Sequence, residues 1–312
     1  MISSIFGKTK PINFIIVLSV LFFFYWVVHF VLYEMAYNPE QLVLQTGVLT
    51  LLILSFFVVD FIVKRNKLTG LNTFTILFFA LFIIVFPESV ADNNAVVCNF
   101  FILLATRRVI SMRSLKDVKF KIFDASLWIL ISSLFYDWAI LYFLVVVIAI
   151  YTYEPKNFKN WLVPFVALFT MSVIAYSVLI LTGSVDFFNN HYQFKIHWDL
   201  QYHMNWANSS KLIIYVVFVF IMAMYSIIKL GNIGVGKIVT TRLLGFIFII
   251  GLILNLLLSS ENNSPMLLTF FPASVLFTNY IEAIKRPNLR EVILLFSVFI
   301  PFIVFLSILI LK

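Results

Sequence analysis

Charge is what this sequence has least of. Asp, Glu, Lys and Arg make up 12% of its 312 residues, while 62% are hydrophobic. A soluble domain carries about 25% charged residues. This chain has too few to cover a surface in water, so a soluble globule is excluded and a polytopic membrane protein is expected. The single cysteine, Cys98, excludes an internal disulfide. Glycine and proline number nine each, and the apolar runs lack period-two alternation. That excludes a lipid-facing β-barrel and leaves helices as the spanning element. No cofactor-binding signature is present. Histidine is also scarce, and three of the four fall in one stretch, HYQFKIHWDLQYHMNW, at 191–206.

What is present is a series of apolar runs. They predict an all-α transmembrane bundle of about 11 spans at 12–33, 42–63, 71–87, 94–106, 122–136, 138–153, 161–182, 212–229, 239–258, 265–284 and 292–311. The first run follows Lys8 and Lys10, is longer than a signal-peptide core and lacks a small-residue cleavage site, so it reads as a retained span. The fourth, fifth and sixth runs fall short of the roughly 20 residues that a perpendicular crossing needs. With the N-terminus in the cytoplasm and eleven crossings, nineteen of the 22 basic residues face inward, as the positive-inside rule requires. Lys195, Lys211 and Lys312 are the exceptions. Eight of the 14 acids, Glu34, Glu40, Glu88, Asp92, Asp137, Asp186, Asp199 and Glu261, face outward. One failed crossing would swap every later loop, whereas two adjacent failures would preserve the pattern, so nine spans also fit. The excess of base is therefore a topology signal and an attraction to anionic lipid. It is not a nucleic-acid footprint, because no stacking or groove-reading module accompanies it. The expected location is a bacterial inner membrane, with the C-terminus periplasmic.

The 191–206 stretch lies in the longest outer loop, 183–210. Its residues alternate: His191, Gln193, Lys195, His197, Asp199, Gln201, His203 and Asn205 are polar, and the residues between them apolar. Period two predicts an extended or hairpin segment with an aromatic face on the bundle and a histidine face in water. Histidines six residues apart on one strand are separated by about 20 Å, too far to share an ion, and no turn signal marks a hairpin. Two readings remain: a solvated histidine face with an aromatic anchor, or a substrate loop in which His191, Lys195, His197 and His203 meet an anionic group. Lys211 belongs with the second reading, external bases being so rare.

Other constellations are weaker. GNIGVGKI at 231–238 nearly spells a phosphate-binding loop, but Ile238 replaces its Ser or Thr and no α/β core surrounds it, so it reads as an inward turn. Asp60 precedes Lys64 by four residues, a helical pair, and Asp124 is expected to pair with Lys121. With no deep cluster of ionisable groups and no inverted repeat, an ion-coupled transporter ranks third. Glu34 and Glu40 in YEMAYNPEQ suit a general base for a polar acceptor if they lie next to a lipid-linked substrate. Asp137, where two short runs meet, is placed to face the same cleft.

SIFGKTKPINFIIV at the start, and FDASLWILISSLFYDWAILYFLVVVIAI followed by NFKNWLVPFVALF in the middle, resemble a family of bacterial polytopic membrane proteins without an assigned activity. The middle is also similar, more distantly, to the GT-C class of membrane glycosyltransferases, in which short helices alternate with long spans. That resemblance implies a polyprenyl-phosphate sugar donor, chemistry on the outer face, and a base in the first outer loop, where Glu34 or Glu40 stands. The paired or flanked Asp of many such enzymes is absent, and the chain is short. The expectation is a handler of polyprenyl-linked saccharide. Its alternative is a non-catalytic membrane subunit partnered with other envelope membrane proteins.

Overall fold

The computed structural model describes residues 2–196, 202, 204–230, 235–260 and 263–311. Among them the chain is helical throughout, a polytopic bundle without strands. In order, the helices are α1 (Ile2–Phe6), α2 (Pro11–Val27), α3 (Pro39–Asn66), α4 (Phe74–Val85), α5 (Glu88–Ala91), α6 (Asn93–Ser111) and α7 (Val118–Ser133). There follow α8 (Phe143–Tyr153), α9 (Phe158–Thr182), α10 (Phe187–His191), α11 (Trp206–Leu230), α12 (Val235–Leu258), α13 (Phe270–Ala283) and α14 (Pro287–Leu311). A π-helical turn, Val28–Leu32, extends α2, and 3-10 turns Asp137–Tyr142 and Pro265–Thr269 lead into α8 and α13. Among the described residues, eight helical segments are long and apolar enough to cross a membrane.

Local chemistry sets the boundaries. Proline opens α2, α3 and α14, where its missing N–H costs nothing. Asn38 and Gln41 form a reciprocal capping box at the start of α3, and the Asp92 side chain caps α6 through the Ala95 N–H.

The short helices are not quite those expected. The 94–106 run is part of a 19-residue helix, because its two arginines do not end it. Arg107 lies over the Phe61 ring at 4.6 Å, and Arg108 pairs with Asp124 at 2.7 Å. Long basic side chains find partners sideways while the backbone keeps winding. Asp124 thus pairs with Arg108 rather than with Lys121, whose ammonium reaches the Ser111 carbonyl and the Ser114 hydroxyl instead. Asp60 and Lys64 do pair, at 2.6 Å. The apolar helix α4 has only 12 residues and is about 18 Å long at 1.5 Å per residue. It is buried on every side from Phe74 to Ile84, as a helix apolar all round must be. Its ends never need to reach water on their own, since α3, α13 and α14 pack around it.

Contacts between distant connections sort into two sets. At one end the backbone of Ile2 and Ser3 donates to Glu291, Glu282 accepts from Gly70 and Asn72, and Arg108 meets Asp124. At the other, His29 Nε2 donates to the Val90 carbonyl, Lys211 meets Glu88, Asp92 accepts from Tyr136 and Ser264, and His191 bonds to the Ser133 carbonyl. The basic loops share the first end and the acidic ones the second. The helix α6 runs from Asp92 at the acidic end to Arg108 at the basic one, and α7 returns from Asp124 to Ser133.

Candidate functional site

The acidic end opens into a groove of about 1390 Å³, walled by α4, α11, α13 and α14. Aromatic and aliphatic side chains such as Phe82, Phe218, Phe277, Phe296 and Ile300 line its length. Along α14 the lining runs from Ile293 to Ile308, about 22 Å at 1.5 Å per residue. That is most of the roughly 30 Å hydrocarbon thickness. The charged groups, Glu88 and Lys211, lie at one end with Tyr33, Tyr202, Asn205 and Asn208, while Tyr215, Tyr280 and Ser297 are scattered polar residues along the apolar body. The site is amphiphilic along its axis, with a charged mouth and a greasy body.

Each mouth residue is positioned by a helix boundary. Pro87 breaks the α4 run and puts Glu88 at the first turn of α5. Lys211 sits in the second turn of α11, so its long stem lies along apolar surface and its ammonium reaches the mouth. The Lys211 ammonium stands 3.4 Å from a Glu88 carboxylate oxygen and 5.7 Å from the centre of the Phe86 ring. Both side chains are mostly buried, 16% and 17% exposed. Burial, then the nearby Glu88 carboxylate and Tyr33, push the Tyr202 phenol above its ordinary range, so it stays a neutral hydroxyl at the mouth.

No protein-family model, curated protein or solved structure matches this chain.

The sequence-derived candidates divide. Lys211 is in the groove. His191, Asp137 and Lys195 lie together at a second place, the corner between α7 and the Asp137–Tyr142 turn. There His191 Nε2 bonds to the Ser133 carbonyl at 2.8 Å, and the Tyr192 and Ser133 hydroxyls are 2.9 Å apart. One Asp137 oxygen accepts from the Phe194 N–H at 2.9 Å and the other from the Trp138 N–H at 2.7 Å. The Trp138 indole donates to the Lys195 carbonyl at 3.1 Å. These contacts fasten the loop to the bundle; His191 and Asp137 hold backbone. The Lys195 side chain is exposed.

The expected strand does not form in the described part of 191–206. His191 ends α10, residues 192–196 have no regular structure, and Tyr202 and Met204 are helical. No second strand lies among the described residues to pair with, and a chain beside a membrane satisfies its backbone by winding into helix or by bonding to polar groups nearby. The histidine face is likewise not turned to water at His191, which is half-buried against Phe187. His197 and His203 lie outside the described residues, as do Asp199, Glu261 and the 231–234 part of GNIGVGKI. Among the described residues, no three His, Cys, Asp or Glu side chains are grouped to share a metal.

Glu34 and Glu40 are exposed and are not part of the groove lining. Glu34 follows the mouth residue Tyr33 in a left-handed backbone conformation, φ 50°. Glu40 occupies the first turn of α3, a placement favoured by the helix dipole alone. Sequence reasoning undervalued Glu88. The available signal was an acid immediately after a proline that ends an uninterrupted apolar run, opposite one of the few external lysines.

Proposed function

We propose that this integral membrane protein binds a lipid-linked anionic saccharide, of the polyprenyl-phosphate type, at the periplasmic face of a bacterial inner membrane. The N-terminus and the basic loops are cytoplasmic. The observation that carries the reading is the gathering of charge at one end of the groove: a largely apolar body that covers most of the hydrocarbon thickness, headed at the acidic end by a lysine, neutral hydroxyls and amides. Apolar walls take up the chain, Lys211 meets the phosphate, and Tyr202, Asn205 and Asn208 bond to sugar hydroxyls. This division, greasy lining with a few convergent polar groups, is the general anatomy of a small-molecule site. In a transferase of GT-C type the carboxylates on hand for the acceptor are Glu88, in the groove wall, and Glu34, next to Tyr33.

The test is binding and turnover of radiolabelled polyprenyl-phosphate sugar by purified protein in lipid nanodiscs. Saturable binding that is lost in Lys211→Gln supports the reading; equal binding by the variant removes it. Release or transfer of sugar separates an enzyme from a carrier-binding protein.

A non-catalytic subunit is the second reading, and α9 favours it. Only 6% of that helix's apolar stretch is buried, although it is 25 residues long. A stoichiometric membrane partner, recovered with no binding of lipid-linked sugar, is the result that this reading requires.

A further inference from the structure

The mouth of the groove already holds an anion. Three ion pairs are found among the described residues. Lys64–Asp60 and Arg108–Asp124 close to 2.6 and 2.7 Å, while Lys211–Glu88 stops at 3.4 Å. Yet Lys211 and Glu88 are more buried than Arg108 and Asp124, at 16% and 17% exposed against 37% and 31%. Good charge-assisted bonds lie near 2.7–2.9 Å. A buried pair that fails to close bears the desolvation of two ions without recovering it in a short bond. The 3.4 Å pair is therefore the one a better-fitting anion can break.

We propose that Glu88 is an internal stand-in for the ligand's phosphate. It neutralises the buried Lys211, and a phosphate-headed lipid entering the groove takes its place. The geometry argues for exchange over joint occupancy. The Lys211 ammonium is bounded on one side by the Phe86 ring and on another by Glu88, both of which come from the connection after α4. A phosphate arriving beside an ionised Glu88 meets like charge in a low-dielectric mouth, so binding requires the carboxylate to swing off the ammonium. Glu88 then sets the affinity for an anionic headgroup. A neutral lipid gains nothing from the exchange and leaves the pair intact. A headgroup able to replace a carboxylate at Lys211 displaces it, and the carboxylate released is left beside the headgroup.

This inference rests on the lipid-phosphate reading of the groove, and one experiment separates the two. Binding of a long-chain polyprenyl monophosphate and of the matching uncharged polyprenol is measured in nanodiscs for the wild type, Glu88→Gln, Glu88→Asp, Lys211→Gln and the Glu88→Gln/Lys211→Gln double variant. Removing the competing carboxylate is expected to tighten the phosphate about tenfold, the size of one hydrogen bond to a charged group. Polyprenol affinity stays unchanged. Glu88→Asp, which keeps the charge on a shorter arm and preserves the fold if Glu88→Gln does not, gives a smaller gain in the same direction. The double variant loses the gain. Glu88→Gln or Glu88→Asp binding the phosphate no more tightly than wild type overturns the inference while leaving the lipid-phosphate reading standing. Phosphate binding absent from every protein, wild type included, overturns both.

Discussion

Asp92 and Tyr136, 44 positions apart, are joined by a hydrogen bond from the tyrosine hydroxyl to the aspartate carboxylate. The same carboxylate accepts from the Ser264 N–H at 2.9 Å, and its other oxygen caps α6 through the Ala95 N–H at 3.1 Å. One buried side chain, 7% exposed, thus ties the start of α6, the corner after α7 and the loop before α13. All three lie at the acidic end of the bundle.

Asp92→Ala removes a helix cap and leaves three donors short of an acceptor. The expected loss is about 3 kcal/mol, the sum of a cap near 1 and unsatisfied buried donors. Thermal unfolding in detergent reads it. Tyr136→Phe removes one donor together with its need and should cost less than half as much.

Residues 191–196 are fastened to the corner by the Asp137 bond to the Phe194 N–H and by the Trp138 indole, while a second Asp137 bond caps its own turn at the Trp138 N–H. Asp137→Ala is expected to raise hydrogen exchange at Phe194 and to expose the loop to protease. Affinity for lipid ligands should stay within twofold of wild type, because Asp137 does not line the groove. A large fall in affinity would place the corner in the site after all.

Glu34 and Glu40 have separable expectations. Neither lines the groove, so the Glu34→Ala, Glu40→Ala double variant should bind polyprenyl-phosphate sugar normally. If the protein is a transferase, Glu34→Ala alone lowers turnover by 10²–10⁴, the usual scale of a lost general base, and Glu40→Ala does not. Unchanged turnover in the double variant would take the base away from the first outer loop.

Gly251 and Gly245 make a paired test of packing on α12. A Cβ at Gly251 would lie 2.9 Å from the Thr269 methyl and 3.1 Å from the Tyr142 hydroxyl, whereas one at Gly245 meets nothing within 4 Å. Gly251→Ala should cost about 1–3 kcal/mol through overpacking. Gly245→Ala should be neutral or stabilising by up to about 1 kcal/mol, the helix propensity gained. The two unfolding temperatures should move apart.

Sidedness is open to labelling with a membrane-impermeant thiol reagent, because the native thiol, Cys98, is fully buried. Asn205→Cys should react in intact spheroplasts and Lys116→Cys only after permeabilisation. The reverse pattern would invert the protein in the membrane, and with it the face on which the groove opens.

The amino-acid sequence by itself determined that this is a helical membrane protein, and how its connections divide between two ends. Both follow from quantities summed along the chain: apolar length against bilayer thickness, and the placement of lysine and arginine loop by loop. The local pair Asp60–Lys64 was legible for the same reason, being one helical turn apart. Only the tertiary structure decided which groups meet. Asp124 chose Arg108, which the sequence places 16 residues away, over a neighbour on its own helix. Residues 192–196 took a hydroxyl of α7 and the carboxylate and indole of the following turn as partners where their alternation called for a strand. Glu88 and Lys211, separated by 123 positions, came together because α4 is short enough to be enclosed and ends at Val85, just before Pro87, beside α11. The groove has the same origin, since a cavity is the space left between helices that each satisfy their own backbone, and no single helix carries its shape.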